Sequence, residues 1–324
     1  MTRRANSAPL VTVVLPSRDR PVEVRRAART VIAQTFTDWE LIIVDDGSDP
    51  AADVIGLEAM DPRILVLRNE TSQGVSEARN RGILEARGRW LAFLDDDDVW
   101  HPRKLAAQLA GAEELGATFV YTSSAVVEVG LASARVERAL VDGEFHRRMA
   151  NGNLVRAPSC VLVDTGAVRS VGGFDPQLSV TADWDLWLRL RDQVTAAAVD
   201  EPLTGVIEHP GSMQLVLAEK IGDELLYLRG RHGPVCRERG WVFGSHDLER
   251  WRAQKRWAAK PTPARAMMYA WWVVRCYGIR GTVRKLNDHR EWRAATAPDW
   301  LREQLETPAL QPAVTAAPTT ADVA

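Results

Sequence analysis

The sequence predicts an α/β fold: a mostly parallel sheet covered by helices on both faces, followed by a helical extension. Three observations carry this. Short β-branched runs alternate with helical patterns through the first 120 residues, polar loops recur where those runs end, and after residue 215 the chain turns helical, basic and Trp-rich. Alternation at this spacing gives parallel strands, because each return crossing needs a helix. Ligands on such sheets gather at the carboxyl ends of the strands.

VTVVL (11–15) reads as the first strand and PVEVRRAARTVIAQ (21–34) as the helix that crosses back. ELIIVDD (40–46) is the second strand, a helix through Asp53–Met60 is expected next, and ILVLR (64–68) is the third strand. VSEARNRGILEA (75–86) spaces its apolar residues three and four apart, as a helix lying on a sheet requires. RWLAFLD (89–95) is a fourth strand. PRKLAAQLAGAEELG (102–116) is a helix with Pro in its first turn and Gly at its end, and TFVYTSS (118–124) is another strand. From 125 to 215 the pattern is less regular. Strands and loops of the same domain are expected there, with a helix from about Trp184 to Asp192. The expected organisation is a first domain over 1–215, a basic helical extension over 216–305, and a disordered tail over 306–324, rich in Ala, Thr and Pro.

With 46% hydrophobic and 26% charged residues, the 324-residue chain has the composition of an ordinary globular protein. Its formal net charge of −2 hides an asymmetry: residues 229–293 hold 16 Lys+Arg against 5 Asp+Glu, and six of the 12 tryptophans. The three cysteines (Cys160, Cys236, Cys276) are scattered and lack C-x-x-C spacing, which argues against a disulfide framework or zinc site and fits a reducing cytoplasm. The first apolar run is too short for a signal peptide, and AMMYAWWVV (266–274), between Arg265 and Arg275, is too short to span a bilayer. The expected location is the cytoplasm. Three readings compete for the basic segment: solvated arginines of an accessory region, peripheral contact with anionic lipid at the inner membrane face, or the holding of an acidic or peptidic acceptor or partner protein. No recognition motif supports nucleic acid as a partner.

The sharpest local feature is FLDDDDVW (93–100), where an apolar run ends in four aspartates. Like charges this close repel, so the carboxylates either stand in solvent or hold a cation. In extended chain alternate side chains share a face, so Asp95 and Asp97 are expected to point together. Two carboxylates suit Mg²⁺ or Mn²⁺, which keeps its other positions for water and phosphate oxygens. A solvated acidic turn is the competing reading.

VTVVLPSRDRP, ELIIVDDGSD, GVSEARNRGILEARGRWLAFLDDDDVWHPRKL and VGGFD…DWDLWLRL, in this order and spacing, resemble an inverting family 2 glycosyltransferase of the GT-A fold over roughly residues 10–215. The resemblance implies a Rossmann-like nucleotide-sugar-binding and catalytic domain. It would move a sugar from a nucleoside-diphosphate sugar, with UDP- or dTDP-sugar favoured, to an acceptor hydroxyl with inversion. Pro16, Ser17 and Arg18 of the first-strand loop, with Asp46, would contact the base of the nucleotide; the competing role for Asp46 is a turn residue before Gly47. Gly74, Ser76, Arg79 and Asn80 would line the nucleotide. Asp97 would bind the Mn²⁺ or Mg²⁺ cofactor, and Asp95 would contact the ribose or share the metal. Asp96 belongs to the same donor-site motif, although it and Asp98 read as solvated or structural.

The resemblance also places the general base at Asp183, against a simple helix N-cap and against Asp185 as the base. Trp184 would sit near the acceptor or in the core, and His209 would complete the metal site or be a surface-loop residue. The acceptor stays open among lipid-linked, glycan, small-molecule and peptide hydroxyls. A non-catalytic binder of the same fold and a nucleotidyltransferase are the rival functions; the latter usually carries a Gly-rich phosphate loop, and LPSRDRP contains no Gly.

Overall fold

A computed structural model describes residues 7–49, 54, 56–128, 134–209, 220–244 and 298–306. Apart from residues 53–60, the chain as far as β4 is built as the sequence predicts. Strand β1 (Val11–Ser17), helix α1 (Pro21–Ile32), β2 (Trp39–Asp45), β3 (Ile64–Arg68), α2 (Val75–Glu85) and β4 (Trp90–Phe93) follow in order. The strands lie β3-β2-β1-β4, all parallel. β1 and β2 are buried along their whole length, as strands covered on both faces must be, which explains their near-continuous apolar sequence. Alternate side chains of β1 go to opposite layers: Val11, Val13 and Leu15 join one core cluster with Trp39 and Leu41, and Val14 joins the other with Phe93 and Phe119.

The expected helix over 53–60 is not formed at its described positions. Residues 56–60 are a series of tight turns (Leu57 N to Val54 O, Ala59 N to Gly56 O, Met60 N to Leu57 O), and Gly56, at φ +83°, leaves the helical region altogether.

The second half is mixed. It comprises β5 (Val99–Trp100), α3 (Lys104–Leu115), β6 (Phe119–Glu128), β7 (Ala134–Glu137), α4 (Phe145–Asn151), a 3-10 turn (Pro158–Cys160), β8 (Val161–Asp164), α5 (Thr165–Ser170), α6 (Ala182–Leu190), β9 (Ala196–Glu208), α7 (Ile221–Glu238) and α8 (Asp299–Glu306). β8 runs antiparallel to both β4 and β6, and β9 is parallel to β6 and antiparallel to β5. Among the described residues nine strands thus form one sheet, with β7 paired on β6. Helix α3 ends on Gly116 in the left-handed conformation, the use expected of that glycine.

Helix α6 starts two residues earlier than its predicted start and stops at Leu190, with Thr181 as its N-cap. α7 brings Leu225, Leu228 and Cys236 into the core cluster that holds Trp184 and Trp187 of α6. The AMMYAWWVV segment, most of the basic region and the tail beyond 306 lie outside the described residues. Among the described residues no helix is long and apolar enough to cross a membrane.

Candidate active site

The carboxyl ends of β1, β2 and β4 open on a cavity of about 390 Å³, closed on the far side by residues 156–158, 179–183 and the end of β9. Its wall includes Pro16, Ser17, Arg18, Asp46, Gly74, Arg79, Asp183 and all four residues of Asp95–Asp98. Groups far apart in sequence therefore meet at the edge where a parallel sheet binds ligands.

The four aspartates are not extended. Asp98 N donates to Asp95 O at 3.0 Å, closing a tight turn, so the alternation argument for pairing Asp95 with Asp97 does not hold. The pairs still differ, through burial. Asp96 and Asp98 are 7% and 2% exposed, while Asp95 and Asp97 are half-buried. Asp96 accepts from Ser17 Oγ (2.8 Å) and Arg20 Nη1 (2.9 Å), and Asp98 accepts from Ile207 N (3.3 Å) and from Ser159. The solvated alternative for Asp96 and Asp98 is thereby corrected: both are buried, although each reaches the cavity wall.

Burial and then the charge of Asp97 push the Asp96 carboxyl up, and burial with the charges of Asp97 and Asp95 pushes Asp98 well above the usual range. Burial opposes ionisation at Asp97 too, but a hydrogen bond from His209 and the Arg20 guanidinium hold its pKa below the ordinary value. Three arginines answer the crowding: Arg20 Nη1, already bonded to Asp96, is also 2.8 Å from Asp97 Oδ2, Arg26 Nη2 reaches Asp97 O (2.9 Å), and Arg79 Nη2 reaches Asp95 Oδ1 (2.5 Å).

His209 Nε2 lies 3.0 Å from Asp97 Oδ2, across 112 residues of sequence, so the structure brings this candidate pair together. A hard carboxylate beside an imidazole nitrogen is a donor set that Mn²⁺ accepts. Among the described residues no group of three or more His, Cys, Asp or Glu side chains is arranged to hold a metal. An ion held by Asp97 and His209 alone would need water and ligand phosphate oxygens for its other positions.

Asp46 accepts four hydrogen bonds, from Asn69 Nδ2 (2.7 Å), Ser72 Oγ (2.7 Å), Gln73 N (2.8 Å) and Gly74 N (2.8 Å). Against the effect of burial, these donors hold its pKa below the usual carboxylate value. About four lone-pair positions are all that a carboxylate has. A nucleobase N–H therefore reaches Asp46 only by displacing a loop donor. Gly47 is required here: at φ +78°, an added Cβ would stand 2.7 Å from Ser72 N. Arg79 is 5% exposed, faces the cavity and lies over the Phe174 ring at 5.1 Å. Pro16, Ser17 and Arg18 of the first-strand loop form part of the wall.

Ser76 and Asn80, expected at the nucleotide, do not line the cavity. Ser76 Oγ donates to Leu178 O (2.7 Å), and Asn80 exchanges two bonds with the Phe174 backbone (2.8 and 2.7 Å). A helix of 3.6 residues per turn that presents Gly74, Ala78 and Arg79 to the cavity must turn these two toward the neighbouring loop, which they pin.

Across the cavity, Asp183 is in the first turn of α6, not at its N-cap. Its Oδ2 accepts from Asn153 Nδ2 (2.9 Å) and its Oδ1 from Trp184 N (2.7 Å). Removal from water raises its pKa to about 6, against the lowering effects of these donors and of Arg79. Asp185 is excluded from the cavity: it is fully buried, 2.7 Å from Arg189 Nε and 2.8 Å from His232 Nε2. Trp184 is a core residue, 2% exposed, stacked 5.3 Å from Phe243 and donating Nε1 to Met149 O. Sequence reasoning misses Arg20, Asn153, Arg156 and Glu208. Only Arg20 has a local signal, as a basic residue in a strand-end loop.

The sheet carries an acidic turn at its strand ends, with Asp183 and Glu208 on the opposite wall of the cavity, and its architecture is that of a GT-A domain. Residues 12–169, just under half of the chain, match the family model described as "Glycosyl transferase family 2", and over that segment the chain is similar to this family of enzymes. Asp183 and His209 lie beyond the matched segment. The chain is 34% identical over 118 residues to UDP-Glc:alpha-D-GlcNAc-diphosphoundecaprenol beta-1,3-glucosyltransferase WfgD of Escherichia coli, covering 36% of this chain and 47% of that protein. It is 28% identical over 229 residues to the putative colanic acid biosynthesis glycosyl transferase WcaA of Escherichia coli (strain K12), covering 65% of this chain and 77% of that one. In structure it is similar to S. aureus TarS 1-349 in complex with UDP-GlcNAc, with a TM-score of 0.52 at 15% identity over 62% of this chain and 59% of that one.

Proposed function

We propose that the protein transfers a sugar from a UDP-sugar to an acceptor hydroxyl with inversion, in the assembly of a polysaccharide. The observation that carries this is the facing of Asp183, its pKa raised to about 6, against the Asp95–Asp98 turn across one cavity. Asp183 takes the proton of the acceptor hydroxyl as it attacks the anomeric carbon, and a pKa near the operating pH suits a general base. Asn153 holds Oδ2 of that carboxylate. On the donor side Asp46 fixes the loop 69–74 under the nucleotide, and Arg79 supplies a buried positive charge to the donor. Asp97 and His209 would hold a divalent ion, which when bound supplies charge neutralisation for the departing nucleoside diphosphate.

The names of relatives support the donor and the pathway class: one is named for UDP-glucose and a diphosphoundecaprenol acceptor, another for colanic acid biosynthesis. The decisive experiment offers a panel of nucleotide sugars with Mn²⁺, Mg²⁺ or EDTA and measures nucleotide release and thermal stabilisation. Metal-dependent release or stabilisation with a UDP-sugar is expected; no response to any donor would sink the proposal.

A further inference from the structure

Among its described residues helix α7 gives no side chain to the cavity wall, yet it grips the helix that carries Asp183. The first N–H groups of any helix lack partners within it. At α6 the N-cap Thr181 makes no side-chain capping bond of its own. The backbone that leads into α6, up to and including the N-cap, is held by Glu224 of α7, 6% exposed, whose Oε1 accepts from Ser179 N (2.9 Å) and whose Oε2 accepts from Val180 N (3.0 Å), Thr181 N (2.8 Å) and Thr181 Oγ (2.9 Å). Two turns further along α7, His232 Nε2 meets Asp185 Oδ1 at 2.8 Å. Ser179 and Val180 line the cavity, and Asp183 follows within the first turn.

We infer that Glu224 is a positioning residue for Asp183: its carboxylate fixes the backbone of Ser179–Thr181 and so the direction in which α6 presents the base to the acceptor. The inference rests on the reading of Asp183 as general base. Misplacement of a catalytic group by about 1 Å can cost up to about a hundredfold in rate. Glu224→Gln keeps the shape but turns an amide N–H₂ toward donors that need an acceptor. Thr181→Val removes one donor and leaves the three amide bonds, a milder change for the case in which E224Q does not fold.

Both variants are compared with wild type and Asp183→Asn in kcat, donor KM, and the stoichiometry of UDP binding with Mn²⁺, which counts folded sites. E224Q is expected to lower kcat at least about tenfold and T181V about threefold, with one UDP per chain and donor KM within about twofold. Wild-type kcat in a folded E224Q, or in T181V where E224Q is unfolded, overturns the inference, as does a loss of kcat matched by an equal loss of UDP sites. A D183N enzyme that stays active overturns the base assignment beneath it. An inactive D183N beside a fully active E224Q overturns the role of Glu224 alone.

Discussion

Replacing Asp183 with asparagine tests three consequences of one carboxylate. The first is rate: removing a general base costs about 10²–10⁴-fold. Here kcat should fall at least about a hundredfold, while UDP affinity holds within about threefold because Asp46, Arg79 and Asp97 are untouched. The second is pH. With a pKa raised by burial to about 6, Asp183 is ionised to about nine-tenths at pH 7, half at pH 6 and about a tenth at pH 5, so wild-type kcat should fall along that limb.

The third consequence is stability, and its sign is set by linkage. A carboxyl whose folded pKa stands above its unfolded value holds its proton more tightly when folded. The stability it contributes is present below the unfolded value of 3.8 and lost as pH rises through about 6. The amide introduced by D183N carries no charge at any pH, so the variant should melt above wild type at pH 8, and the gap should close by about pH 4. The upper limit is about 3 kcal/mol. Screening at the cavity mouth and the loss of one of two accepted hydrogen bonds reduce the expected gain to about 1 kcal/mol. Nucleotide release from the donor found by the panel, measured from about pH 5 to 8.5, and thermal melts from about pH 4 to 8.5 provide the readouts. More than a tenth of wild-type kcat in D183N, or a wild-type profile flat between pH 5 and 7, refutes Asp183 as the base. A variant melting below wild type at pH 8 refutes the account of its raised pKa.

Arg20→Gln removes the guanidinium shared by Asp96 and Asp97 and should cost about 1–2 kcal/mol in EDTA, partly recovered with Mn²⁺; a metal-independent melting shift would count against a cation at this turn. His209→Ala should raise the Mn²⁺ concentration needed for half-maximal nucleotide release about tenfold or more, and an unchanged titration excludes it as a ligand. Gly47→Ala drives a Cβ to within 2.7 Å of Ser72 N in a left-handed conformation. It should lose about 1–3 kcal/mol of stability and weaken UDP binding through the Ser72–Gly74 loop, so a melt and affinity equal to wild type would show that this loop yields freely.

The identity of the strands, the alternation with helices and the polar strand-end loops are local properties of the sequence. β1, β2 and β4 are legible because strands buried on both faces are apolar throughout, and α3 because proline precedes its first turn and glycine closes it. The turns at 56–60 read as a helix because their apolar spacing suits one, while the positive φ of Gly56 is a backbone fact that spacing does not express. Ser76 and Asn80 lie in a block that sequence assigns to the nucleotide as a whole. Which face each side chain takes is set by how α2 sits on the sheet and against the loop at Phe174 and Leu178.

Residue type and local periodicity encode the fold class, the acidic strand end and the short set of carboxylates from which the proposed base is drawn, so these are readable before any folding. How each carboxylate is used is settled only in three dimensions. Asp183 faces the cavity and Asp185 faces α7; Asp96 and Asp98 are buried, where the charged form is disfavoured; Asp97 meets Arg20 and His209; and Glu224, from another element, holds the backbone that leads into α6. A carboxylate's role follows from its desolvation and its partners, and both come from parts of the chain that approach only when the whole sheet is assembled.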